Sequence, residues 1–322
     1  MKAIFWLGVL TALAMVAGTG TVLAAADGPD AGSGATTEAV KAALPLVSVN
    51  PTPAVTTVVV LAPRPADSCA LSEAAANPTR PAWDYAASTT QCGIAEVDSG
   101  WMEQPMGSGV RQQMLTSSVR YGLTPKMDLR WGFTDHMTQS SGATGSLEGI
   151  GDQWLSARYR FHEQGRRLPA MALLYAAKIP SANPAKGFGT GFVDHQLIFI
   201  ASRDLGKNHL DFNIVGTVAG SALGHDGAAQ IGLAMTRPVN AKLSLILESY
   251  GGPQPGTSNR FGAALAGAAY TLRPTLVADA AYSRTYTAGS PRQQFMFGFT
   301  FAARPGLPLL PKGSSLARLV GR

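Results

Sequence analysis

The stretch Gln294–Arg304, QFMFGFTFAAR, carries phenylalanine at positions 295, 297, 299 and 301. Gln294, Met296, Gly298 and Thr300 alternate with them. Successive side chains of a β-strand point to opposite faces, so the four rings share one face. Exposed to water on an edge strand, such a face invites aggregation. Either a sandwich core or the hydrocarbon of a bilayer can accept it. The choice rests on whether the rest of the chain repeats the pattern.

Upstream, period-two segments follow one another: 83–97, 113–122, 126–134, 150–162, 169–179, 192–204, 208–219, 227–237, 240–250, 260–272, 275–286 and 292–303. Most reach the roughly 9–11 residues that a tilted strand needs to cross a bilayer. Tight turns at 122–125, 163–168, 205–207, 238–239 and 273–274 alternate with longer connections at 98–112, 135–149, 180–191, 220–226, 251–259 and 287–291. Outer-membrane barrels show this asymmetry, with short periplasmic turns and longer outer loops. An even strand number also puts both chain ends on the periplasmic side.

The two faces sort by chemistry. In 207–218, Leu210, Phe212, Ile214 and Val218 oppose His209, Asp211, Asn213 and Thr217. Leu243, Leu245 and Leu247 oppose Lys242, Ser244 and Glu248, and Leu129 with Trp131 opposes Asp128 with Arg130. A sandwich would bury the apolar face; a membrane barrel turns it to lipid and lines its interior with charge. Aromatic residues near strand ends (Tyr121, Trp131, Phe133, Phe161, Tyr250, Tyr270, Tyr282, Tyr286) fit interfacial girdles. The expected fold is therefore an all-β, up-and-down antiparallel transmembrane barrel of about twelve strands in the cell outer membrane. Segments 169–179 and 260–272 alternate poorly, as a tight or plugged region would.

The N-terminus reads as a secretory signal over 1–26, with Lys2, an apolar run Ile4–Val16 and Ala24, Ala25 and Ala26 before Asp27. Residues 27–80 are rich in Pro, Ala and Thr, which predicts a mostly disordered periplasmic segment, with Val55–Leu61 as a possible extra strand. The barrel is expected over 81–304 and a basic tail over 305–322. Export places Cys69 and Cys92, the two cysteines, where a disulfide can form. The net charge of +6 is scattered, so nucleic acid is not expected as a partner.

No catalytic set is visible. The histidines at 136, 162, 195, 209 and 225 lie at no metal-ligand spacing, and no G-x-S-x-G elbow occurs. GFGTG at 187–191 precedes a strand, so it lacks the helix N-terminus of a phosphate loop. No metal, cofactor or enzymatic activity is expected. The polar faces supply the lumen-lining candidates Arg120, Asp128, Arg130, Asp152, Arg158, Arg160, Asp211, Glu248 and Asp279. Twelve strands enclose a backbone diameter of roughly 24 Å, which side chains narrow to about 10 Å or less. Opposed arginine and carboxylate rows there either form an ion-selecting eyelet or neutralise one another.

Four stretches recur in order: RYGLTPKMDLRWGF (120–133), GIGDQWLSARYRF (149–161), LPAMALLYAAKIP (168–180) and GFGTGFVDHQLIFIASRDLG (187–206). In these the chain resembles the outer-membrane transporter family associated with the meta-pathway of phenol degradation. The resemblance spans roughly 83–304, and the Pro-rich N-terminal segment and the tail depart from it. It implies an outer-membrane barrel passing small solutes, aromatic or hydrophobic ones among them. The expected partners are outer-membrane lipid, a small-molecule solute and the barrel-assembly machinery. A closed structural or adhesion barrel with partner-binding outer loops is the alternative, and a lipid hydrolase a weaker third.

Overall fold

The computed structural model describes residue 69 and residues 73–107, 109–141, 145–254, 259–287 and 293–305. The expected signal peptide, residues 27–68 and 70–72 of the Pro-rich segment with Val55–Leu61 among them, and the tail beyond 305 lie outside the described residues.

Strands follow in the order β1 (Ala95–Gly107), β2 (Val110–Thr124), β3 (Met127–Ser141), β4 (Gly145–Gly149), β5 (Gln153–His162), β6 (Ala170–Ile179), β7 (Asp194–Leu205), β8 (Asn208–Ser221), β9 (Gly224–Pro238), β10 (Leu243–Pro253), β11 (Arg260–Arg273), β12 (Leu276–Thr285) and β13 (Gln293–Ala303). Antiparallel pairing runs from each to the next around the wall. Short β4 and β5 both pair with β3, at 137–141 and 127–133 respectively, and so share one position. β1 then pairs with β13 from Ala95↔Ala303 to Glu103↔Phe295. The sheet closes as a twelve-strand barrel. Apart from the short β4, which pairs on one side alone, closure leaves no strand edge unpaired, as a lipid environment requires.

The last strand decides which way the pattern faces. Phe295, Phe297, Phe299 and Phe301 are 44–56% exposed on the outer surface, whereas Thr300 between them is 0% exposed. Leu129, Trp131, Leu155, Ile214, Leu245 and Leu247 are likewise exposed, while Asp128, Arg158, Asp211 and Glu248 are buried inside. Apolar outside and charged inside is the inverse of a soluble sandwich, and it is the pattern of a barrel in lipid.

Two expectations need correction. The first strand runs from Ala95, not over 83–97, and residues 73–94 lie within the lumen as an irregular segment. The 98–112 connection is the hairpin of β1 and β2, and much of 135–149 is strand in β3 and β4. These hairpins alternate poorly because, beyond the hydrocarbon, neither face has to be apolar. The connection 180–191 is a true loop holding a single 3-10 turn, Pro184–Lys186.

The poorly alternating strands also find their reason. On β6 the inward residues are Ala172, Leu174 and Ala176, which cluster with Ile198, Ile200, Val215 and Ala87. On β11, Ala263, Leu265 and Ala269 cluster with Ile246, Tyr250 and Val277, and Ala76, Ala82 and Trp83 pack against them. Both faces of these strands are apolar because the inner one packs on residues 76–87. The barrel holds a small hydrophobic core of its own.

Candidate functional site

Residues 73–94 enter the lumen at the end of the short turns, where the Ala76 N–H donates to the Pro274 carbonyl at 2.8 Å. They cross the interior and return to the same end. There Gly93 donates to Gly122 and Gly122 to Ile94, at 2.8 and 3.1 Å. Pro81 has no N–H to give to a ladder, and residues 77–90 run as an irregular segment. Its backbone groups are satisfied by inward side chains instead. Glu248 accepts from the Trp83 and Asp84 N–H groups at 2.9 and 2.6 Å. Asn213 accepts from the Tyr85 N–H at 3.1 Å and donates to its carbonyl at 2.9 Å. The Ala87 N–H donates to Ser202 and the Thr90 N–H to Asp128, both at 2.7 Å. A disulfide joins Cys69 to Cys92 and makes the inner segment a closed loop.

Two glycine sites admit this loop. A Cβ at Gly100 or Gly298 would collide with the Arg80 side chain, and one at Gly232 with the Asp84 carboxyl. Strand glycines of this kind mark close approach. Burial, and then the Glu248 and Asp211 carboxylates, push Asp84 up to about 9. Neither of its carboxyl oxygens has a hydrogen-bond partner. A neutral carboxylic acid therefore sits at the centre of the seat at pH 7.

The sequence-derived candidates fall into distinct places. Arg120 pairs with Glu96 at 2.6 Å and Asp98 at 3.0 Å and donates to the Asn77 carbonyl at 2.9 Å. Arg158 pairs with Asp128 at 2.5 Å and donates to the Ala86 carbonyl. Asp279 meets Arg80 at 3.6 Å, and Asp211 accepts from Ser202 and lies against His209. Asp152 takes the Ala182 N–H at 3.0 Å and, with Asp194, flanks Lys178 beneath the 180–191 loop. Arg160 sits at the turn end, on the Pro125 carbonyl and Glu163. Opposed free rows do not form: Arg120, Asp128, Arg158, Glu248 and Asp279 contact the inner segment, and Asp152, Arg160 and Asp211 are paired elsewhere on the wall and its loops. Arg130 differs, holding Thr79 only at 3.5 Å and lying 5.7 Å above the Tyr85 ring.

Arg130 faces a cavity of about 400 Å³ beside the inner segment. Trp83 and Tyr250 stack at 5.1 Å on its wall, with Phe261 edge-on to Tyr250 at 6.1 Å. Tyr250 thus faces the lumen, not the expected interfacial girdle. Glu96, Asp98, Lys178, Asn213 and the inner segment itself were not among the sequence candidates. For Glu96 and Asp98 a signal existed, the alternation in AEVDSG, hidden by the loop expected from residue 98. No group of three or more metal-ligating side chains occurs among the described residues.

No protein-family model matches the chain, and no curated protein matches it. Among solved structures, an outer-membrane channel from Pseudomonas putida F1 superposes with a TM-score of 0.52 at 14% identity, covering 70% of this chain and 99% of that one. The NanC porin gives 0.45 at 11% identity, covering 64% and 98%, and the KdgM porin in complex with disordered oligogalacturonate gives 0.43 at 6%, over the same shares. The first likeness is one of fold. That fold and the apolar outer belt together make the chain an outer-membrane β-barrel.

Proposed function

We propose that the protein is a passive channel for small solutes, aromatic or hydrophobic ones among them, closed at rest by its inner loop. The aromatic cavity against that loop carries this reading. A concave site of about 400 Å³ with stacked rings and a few polar groups has the size and character of a small-molecule site. The sequence resemblance to the phenol-pathway transporter family supports the same solute chemistry. Side-chain hydrogen bonds seat the loop, so it can leave without breaking the sheet that closes the barrel. Export by the signal peptide and insertion by the barrel-assembly machinery belong to this reading.

Planar-bilayer recording of refolded protein tests it, with gel mobility before and after boiling as the folding control. Discrete current steps, together with uptake of benzyl alcohol into protein-loaded liposomes, are the expected result. A closed structural barrel is the second reading, favoured by the filled lumen. A heat-modifiable barrel that passes neither current nor benzyl alcohol would establish that one instead.

A further inference from the structure

The cavity's charge is as specific as its shape. Two arginines, Arg80 and Arg130, line it, and no acidic side chain does. Arg80 is already committed, to Asp279 at 3.6 Å and to the Phe297 carbonyl at 3.4 Å. Arg130 has no ion pair among the described residues; Asp98, the acid whose field it shares, is held by Arg120. Strand order puts β3, which carries Arg130, directly across the barrel from β10, which carries Tyr250. A cation thus faces a wall of rings across the cavity, with Leu265 and Met296 completing the apolar side.

We propose that this cavity is a binding site for a small aromatic carboxylate, its ring on the Trp83, Tyr250 and Phe261 wall and its carboxylate on the Arg130 guanidinium. The proposal rests on the channel reading and sharpens its solute class from aromatic compounds in general to aromatic anions. The planar guanidinium fork matches a carboxylate bidentately. The ring contacts alone would accept neutral aromatics too. Discrimination therefore lies in Arg130: a neutral isostere gives up the charge-assisted contact to the guanidinium.

Calorimetry on the detergent-solubilised full-length protein tests this, with benzoate, benzyl alcohol and acetate as probes at neutral pH. Benzoate should bind roughly ten- to a hundred-fold more tightly than benzyl alcohol, as a charge-assisted hydrogen bond implies. Acetate, lacking the ring, should show no saturable binding. Arg130→Gln should bring benzoate down to the level of benzyl alcohol, and Arg130→Lys should keep part of the preference. Heat-modifiable mobility verifies that each variant is folded. Equal binding of benzoate and benzyl alcohol by the wild type would overturn the proposal. So would benzoate affinity unchanged in Arg130→Gln, or no benzoate binding by folded wild type. Binding is read without flux, so the two readings separate: benzoate bound but not passed defeats the channel, and solutes passed with no preference for benzoate defeat the site.

Discussion

The barrel wall and the loop inside it are built by opposite rules. Along the wall the backbone pairs with the neighbouring strand apart from a few bulges, and side-chain chemistry mostly follows a period of two. Between its two ends, residues 83–90 of the loop have no ladder; their N–H groups reach carboxylate, amide and hydroxyl oxygens on strands far away in sequence. The wall is therefore closed by cooperative main-chain pairing and the loop by a handful of individual contacts. The contacts of the loop can be lost one at a time, and those of the wall cannot. A barrel that keeps its shape while its occupant moves follows from that difference.

The contrast can be broken from the wall side first. Phe297, 56% exposed near the middle of β13, faces hydrocarbon. Phe297→Arg should cost about 2–4 kcal/mol, as arginine does near the bilayer midplane, and lower the urea midpoint of the refolded barrel. Next is the tether. Cys69 and Cys92 are separated by 23 residues, so their bond constrains the loop by about 3 kcal/mol on chain-entropy grounds. Cys69→Ser should raise open-channel occupancy with the barrel still heat-modifiable. Glu248→Ala strands the Trp83 and Asp84 N–H groups and should weaken the loop's seat by about 1–3 kcal/mol, read as higher conductance at an unchanged barrel midpoint.

A pH dependence follows from the same seat. Asp84 lies near 9 when seated, well above the ordinary carboxylate value of 3.8 when free, so the seated loop binds the extra proton. Its contribution to seating is full below about pH 4 and is lost as pH rises towards 9. Conductance should therefore rise from pH 5 to pH 9. Asp84→Asn, which cannot ionise, should flatten that profile and keep the channel shut at alkaline pH.

How much of this was legible follows from the same contrast. The phenylalanines of β13 and the leucines of β10 announce themselves because a wall residue's environment depends only on its parity. Arg120, Asp128 and Glu248 were placed on the polar face for the same reason. Their partners were not, because the Trp83 N–H that Glu248 receives lies 165 residues away and the Thr90 N–H that Asp128 receives lies 38 away. Nothing local in PAWDYAASTTQC marks those groups as lumen contacts, and the chance alternation there imitated a strand. The apolar inner residues of β6 and β11 were the remaining clue, since a water-filled lumen would not select Leu174 or Leu265.

The most direct test of the central claim replaces residues 77–90 by a Gly/Ser linker of equal length and compares single-channel conductance with the wild type. If the inner loop closes the lumen, the replaced barrel, heat-modifiable as before, passes a large steady current while the wild type passes a small or intermittent one. Identical conductance from two folded barrels would contradict the account.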